Sequence, residues 1–238
     1  MLKRIPLLSI VCALAVVIPA LANTTRQDDL RRMESSTEVF EDVMHMPDKG
    51  IPDRILRSAK CIAIIPGEKK AAFFVGGNYG KGLVTCRDEK GWSAPLFVSV
   101  GGGSFGFQWG ATSTDLVIVF RSRSGLEKQL SDKFEIGADA DVAAGPVGRN
   151  AQADTDIELH AEVLTYSRSR GVFAGVSLKG AVLQPDDSGN EVFYGAGVRR
   201  NAVLTGEVPV PQPAKPLVRA LEQTAGARLH AEPAVSER

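Results

Sequence analysis

Histidine is scarce in this chain: His45, His160 and His230 are the only three, and none stands in an HExxH or a Cys/His zinc spacing. Hydrolytic metal chemistry therefore has no local signature. Cysteine is equally scarce, with three residues, which excludes a disulfide-dense scaffold and a four-thiolate metal site. Excess charge of either sign is missing: 28 basic residues face 28 acidic ones, so no overall basic field argues for nucleic acid. A single long apolar run exists, Ile5–Ile18, and it is shorter than the ~20 residues a bilayer-spanning helix needs. No nucleophile elbow is present, and nothing in the spacing points to a Ser-His-Asp site. The reading is a non-enzymatic chain without a cofactor.

What is there begins with export. Lys3 and Arg4, the apolar run, Pro19 and then Ala20-Leu21-Ala22 have the pattern of a signal peptide over 1–22, with cleavage after Ala22. The expected product is periplasmic or secreted. It starts with a short linker, 23–27, followed by one domain over 28–225 and a flexible tail over 226–238. Losing Lys3 and Arg4 leaves 26 basic against 28 acidic residues, so attraction to an anionic surface must come from local patches. Cys61 and Cys86 remain in an oxidising compartment. They are a disulfide candidate if their strands are neighbours, the alternative being two buried free thiols.

The glycine-rich stretch Leu96–Gly125 tests for a phosphate loop and fails. Gly101-Gly102-Gly103-Ser104 is not followed by the Gly-Lys-Ser/Thr that places a cation and a metal-binding hydroxyl. Phe105, Phe107 and Trp109 alternate with Gly106, Gln108 and Gly110, the period of a strand. Further strands are expected at Ala71–Tyr79, Gly82–Arg87, Trp92–Val100, Ser104–Ala111 and Asp115–Arg121, with Asp88–Gly91 as a hairpin turn. The glycines in or beside these strands suggest bulges or close backbone approach. A capping box, Ser124 to Glu127, predicts a helix over about 125–133.

Apolar spacing of three and four predicts an amphipathic helix over Asp28–Met46, either packed on the sheet or able to enter a lipid interface. Pro52 opens a short second helix whose Arg54, Arg57 and Lys60 recur every third residue, and Lys69 and Lys70 follow beyond a Pro66-Gly67 turn. These five form the densest positive cluster after residue 22. Such a run is ordinarily a solvated face, and it is also the one candidate for contact with anions. Downstream, Gly137–Ala144 and Asp154–Tyr166 alternate and read as antiparallel arms joined by a turn over 145–150. Aligned in that way, Asp139, Asp141, Asp154, Asp156 and Glu158 offer hard oxygen donors for a cation, or simply a wet face. A turn is expected at Tyr166–Gly171, a strand at Val172–Leu183, a surface turn at Pro185–Asn190, and a closing helix over Pro216–Ala225. The predicted class is α+β: a β-rich, mostly antiparallel coiled or barrel-like sheet with N-terminal helices, one central helix and a short C-terminal helix.

Taken in order, IPDRILRSAKCIAIIPGEKKAAFFVGG, YGKGLVTCR, GWSAPLFVSVGGGSFGFQWGATSTDLVIVF, GPVGRNAQA, YSRSRGVFAGVSLKGAVL and GEVPVPQPAKPLVRAL resemble the SYLF, or Ysc84, family. The resemblance implies a β-rich domain that binds phospholipid membranes. Phosphoinositides are favoured in eukaryotic members, and some of those bind actin and carry SH3 or FYVE domains. A signal peptide, a cysteine pair and no second domain make this chain look like a bacterial exported member. The resemblance points to the first helix and to Arg54, Arg57, Lys60, Lys69 and Lys70 as the lipid-binding elements. The expected partner is an anionic phospholipid surface. The alternative is an envelope protein met by the sheet face.

Overall fold

The computed structural model describes residues 25–46, 50–67, 78–88, 90–102, 114–122, 133–148, 161–169 and 172–226. Ten strands form one curled, mostly antiparallel, half-barrel sheet in the order β6-β10-β4-β2-β1-β5-β8-β7, with β3 on β2 and β9 on β8. In chain order they are β1 (Cys61–Ile65), β2 (Asn78–Asp88), β3 (Gly91–Trp92), β4 (Leu96–Gly102) and β5 (Thr114–Phe120), then β6 (Phe134–Glu135), β7 (Val142–Ala144), β8 (Val163–Ser169), β9 (Val172–Gly175) and β10 (Val182–Pro185). The helices are α1 (Arg26–Met44), α2 (Asp53–Ser58), α3 (Asp187–Tyr194), α4 (Arg200–Leu204) and α5 (Lys215–Gly226). The α+β class is therefore as the periodicity predicts.

β1 is buried at every residue, and the pleat divides its side chains between two cores. Ile62 and Ile64 face α1, α2 and α5, together with Leu83, Phe97, Val117 and Val119. Cys61, Ala63 and Ile65 face the inside of the curl, against Val84, Leu96, Ile118 and Phe120. Both faces of the central strands are thus occupied by core side chains. Gly82 shows why the curl needs glycine: a Cβ there would stand 2.1 Å from the Ile64 carbonyl oxygen.

α1 begins two residues before its expected start, because Thr25 and Asp28 form a capping box. The Thr25 hydroxyl accepts from the Asp28 amide at 3.2 Å, and the Asp28 carboxylate accepts from the Thr25 amide at 3.1 Å. Met33, Phe40 and Val43 carry its buried face. Asp29 and Arg32 are buried there too, although the polar pattern assigns Arg32 to the wet side. α5 closes the structure through Leu217, Val218 and Leu221, as predicted.

Five expectations give way to tertiary contacts. β7 pairs with β8 in parallel, Val142 opposite Val163, not as an antiparallel hairpin. Gly145 makes no simple reversal. It lets the chain cross the Tyr166 ring, since a Cβ would lie 2.0 Å from that ring. β8 continues through Ser169 where a turn is expected, because Tyr166 is buried on Phe173 (ring planes 4° apart) and Arg168 is bonded by Asp115 and Asp42. The strand expected over Val172–Leu183 is split into β9 and β10. Pro185–Asn190 is no surface turn: Asp186 caps α3, and the buried Asn190 amide satisfies both backbone groups of Phe97, each at 2.9 Å. The strand at Ala71–Gly77, the strand at Ser104–Ala111 and the capping-box helix near Ser124 lie outside the described residues, as do 1–22 and 227–238.

Candidate functional site

The register of three central strands builds a row that spacing along the chain does not reveal. Cys61 lies opposite both Cys86 and Phe120. One residue further out, the Arg87 amide donates to the Lys60 carbonyl at 2.7 Å, and the Lys60 amide donates to the Phe120 carbonyl at 2.7 Å. Lys60 therefore sits between Arg87 and Arg121, and all three side chains leave the sheet on the helix-covered face. Trp92 continues the row beyond Arg87, and Glu162 continues it beyond Arg121, whose amide donates to the Glu162 carbonyl at 2.8 Å. Adjacent rungs of this kind bring side chains within ~5 Å, and like charges there repel.

Local contacts hold the outer two cations in place. The Arg87 guanidinium lies 4.7 Å from the Trp92 ring centroid and donates to the Leu56 and Arg57 carbonyls at the end of α2, each at 3.4 Å. A cation at a helix C-terminus is favourable there, while partial burial pulls this guanidinium below its ordinary pKa. Arg121 donates to the Ala161 carbonyl at 3.4 Å. Lys60 and Arg57 are exposed, and Arg57 adds a fourth cation from α2 beside the row. Arg54, half-buried, lies one helical turn before Arg57.

Of the five basic residues singled out in the sequence, the structure gathers Arg54, Arg57 and Lys60 at one end of β1. Gly67, the last described residue before Lys69 and Lys70, lies past the other end of that strand, which itself spans about 16 Å. Lys69 and Lys70 themselves lie outside the described residues. Arg87 and Arg121 are the cations the linear reading missed. One signal existed: pairing Cys61 with Cys86 in register places Arg87 beside Lys60 at once. The structure joins those two cysteines in a disulfide, S–S 2.03 Å, both fully buried.

Most of the cation site expected between two acidic arms lies outside the described residues. The β7–β8 pair is parallel, and Asp139 spends its carboxylate accepting from the Glu135 amide at 2.6 Å. Asp154, Asp156 and Glu158 lie outside the described residues.

Two ionic contacts fasten α1 over the sheet. Near its N-terminus, the Arg32 guanidinium meets Asp186 at 2.8 Å, and the Lys81 ammonium from β2 meets the same oxygen at 2.9 Å. Burial alone pushes Asp186 up, but hydrogen bonds from Lys81 and Arg32 more than reverse this and hold its carboxyl below the usual range. Near the C-terminus of α1, Arg168 of β8 bridges Asp42 at 2.5 Å and Asp115 of β5 at 2.7 Å. Asp115 also accepts from the Gly67 amide at 2.8 Å, which ties the same contact to the approach to Lys69. Among the described residues no helix is long and apolar enough to cross a membrane.

Comparison with known proteins finds relatives over most of the chain. The Ysc84 family profile, described as "Las17-binding protein actin regulator", matches residues 101–224. The human SH3 domain-containing YSC84-like protein 1 is 35% identical over 199 residues, covering 80% of this chain and 58% of that protein. Protein YSC84 of Saccharomyces cerevisiae is 36% identical over 183 residues, covering 75% of this chain and 39% of its own. An SH3 domain-containing protein of Schizosaccharomyces pombe is 37% identical over 175 residues, 72% of this chain and 40% of that one. The chain thus spans between about two-fifths and three-fifths of the relatives it matches.

Proposed function

Because the chain belongs to the Ysc84, or SYLF, family of non-enzymatic binding domains, we propose that it docks on anionic phospholipid headgroups at a membrane surface, using the basic row at the start of β1. The observation that carries this reading is the stacking of Arg87, Lys60 and Arg121 on adjacent rungs with Arg57 beside them. Cations gathered on neighbouring strands favour a common anionic surface. Each cation near such a surface contributes about 1 kcal/mol, falling off within a Debye length. Export through residues 1–22 and a peripheral position in the cell envelope belong to the same proposal. The actin regulation named for relatives then has no counterpart in that compartment.

Co-sedimentation of the full chain with vesicles of phosphatidylglycerol and phosphatidylcholine, against phosphatidylcholine alone, tests it. Binding to the anionic vesicles is expected, weakening steeply with salt. Replacing the exposed Arg57 and Lys60 together by alanine removes about 2 kcal/mol and so lowers the partition about thirtyfold. Equal binding to neutral vesicles, or a double variant that binds like the parent, overturns the proposal.

A further inference from the structure

Asp29 stands apart from every other charged group in the described structure. It is fully buried on the inner face of α1, and neither of its carboxylate oxygens accepts a hydrogen bond. Arg32, one turn along, comes within 3.4 Å, but its close contact at 2.8 Å goes to Asp186. Lys81 makes its 2.9 Å contact with Asp186 as well. The close contacts of both cations thus go to the second carboxylate, and Asp29 keeps only the longer ion pair with Arg32, without a hydrogen bond.

The two carboxylates also crowd one another. A Cβ on Gly189 would lie 3.1 Å from an Asp29 oxygen and 3.2 Å from an Asp186 oxygen, so both carboxylates pack closely on the same glycine. The charged groups facing Asp29 among the described residues are Asp28 and Arg32 on α1, Lys81 on β2 and Asp186 at the start of α3. An ionised carboxylate without hydrogen bonds is costly in such a place, whereas the protonated acid is not.

We propose that the Asp29–Arg32–Lys81–Asp186 cluster is a proton-controlled latch for α1: it closes the helix on the sheet when Asp29 is protonated and loosens it when Asp29 is ionised. This goes beyond lipid docking and holds whether or not the basic row meets a membrane. Burial, followed by the Asp186 charge, outweighs Arg32 and Lys81 and raises Asp29 from 3.8 to about 6. A folded-state value above the unfolded one means that the stabilisation is present in acid and is lost as pH rises through about 6. Asp186 has the opposite sign: its contribution is present above the ordinary carboxylate value of 3.8 and is lost only in stronger acid. The latch is therefore tightest near pH 4 and loosens progressively as pH rises to about 6. When it opens, α1 uncovers Met33, Phe40 and Val43, the apolar stripe an interface-seeking helix needs.

Hydrogen exchange of the full chain, corrected for intrinsic rates, reads the latch directly. From pH 5 to 7.5, protection of the α1 amides is expected to fall about tenfold more than that of β5, from the linkage of a carboxyl that titrates near 6 docked and near 3.8 free. In Asp29→Asn this difference should vanish. Should that variant fail to fold, the Asp29 side-chain carboxyl carbon of the parent chain, followed by NMR, must titrate with a midpoint near 6. Equal loss of protection in α1 and β5, a pH dependence that survives in Asp29→Asn, or a carboxyl midpoint near 4 each overturns the latch.

Discussion

Cutting the Cys61–Cys86 bond should cost stability without erasing the site beside it. The bond closes a loop with a sequence separation of 25. Chain-entropy arithmetic for a loop of that length gives about 3.5 kcal/mol of stabilisation at 25 °C. For a domain of this size, that corresponds to a melting point lower by about 7–14 °C in the Cys61→Ala/Cys86→Ala chain. Register in this region is held independently, by the ladder from Ile62↔Thr85 to Ile64↔Leu83 and by the contacts of Lys60 with Arg87 and Phe120. The folded variant should therefore keep Lys60 between Arg87 and Arg121 and bind anionic vesicles like the parent at 20 °C. The assay is thermal melting by circular dichroism, paired with vesicle co-sedimentation well below the transition. Two results refute the reasoning. Equal melting points would mean that the bond does not constrain the unfolded chain. A lost affinity in a folded variant would mean that the disulfide, not the ladder, sets the row.

Two further substitutions test how the fold carries the site. Gly145→Ala places a methyl 2.0 Å from the Tyr166 ring, so the parallel β7–β8 pairing should fail, with a loss of about 1–3 kcal/mol in urea unfolding. An unchanged midpoint would contradict the packing of that crossing. Asn190→Ala strips the buried Phe97 amide of its partner and leaves the Phe97 carbonyl with the Asp186 amide alone, and a loss of about 1–3 kcal/mol is expected by the same measurement. A value within the error of the parent chain would show that those backbone groups find other partners.

Much of the architecture was legible because it rests on period and punctuation. The amphipathic stripe of Met33, Phe40 and Val43, the buried run Leu116–Phe120, the Asp88–Gly91 turn and the closing helix with Leu217 and Leu221 all follow from local rules. Turn chemistry misled at Pro185–Asn190. Asp, Ser, Gly and Asn suit a loop and equally suit a capped helix, and the partner of Asn190 stands 93 residues away. Alternation also misled at β7, since a period of two is the same in parallel and antiparallel strands.

The candidate site divides along the same line. Arg54, Arg57 and Lys60 are neighbours in sequence and share one end of β1. Arg87 and Arg121 join them only through strand register, and Gly67, the last described residue before Lys69, lies beyond the far end of the buried strand β1. By itself, the sequence determined the family resemblance, the α+β class and the presence of a basic helix, because these depend on residue types at short range. The tertiary structure alone decided which cations stand on neighbouring strands and that Asp29 is sealed under α1 without a hydrogen bond, its neighbouring cations held more closely by Asp186. Charge acts through space and burial, and neither is a property of spacing along the chain.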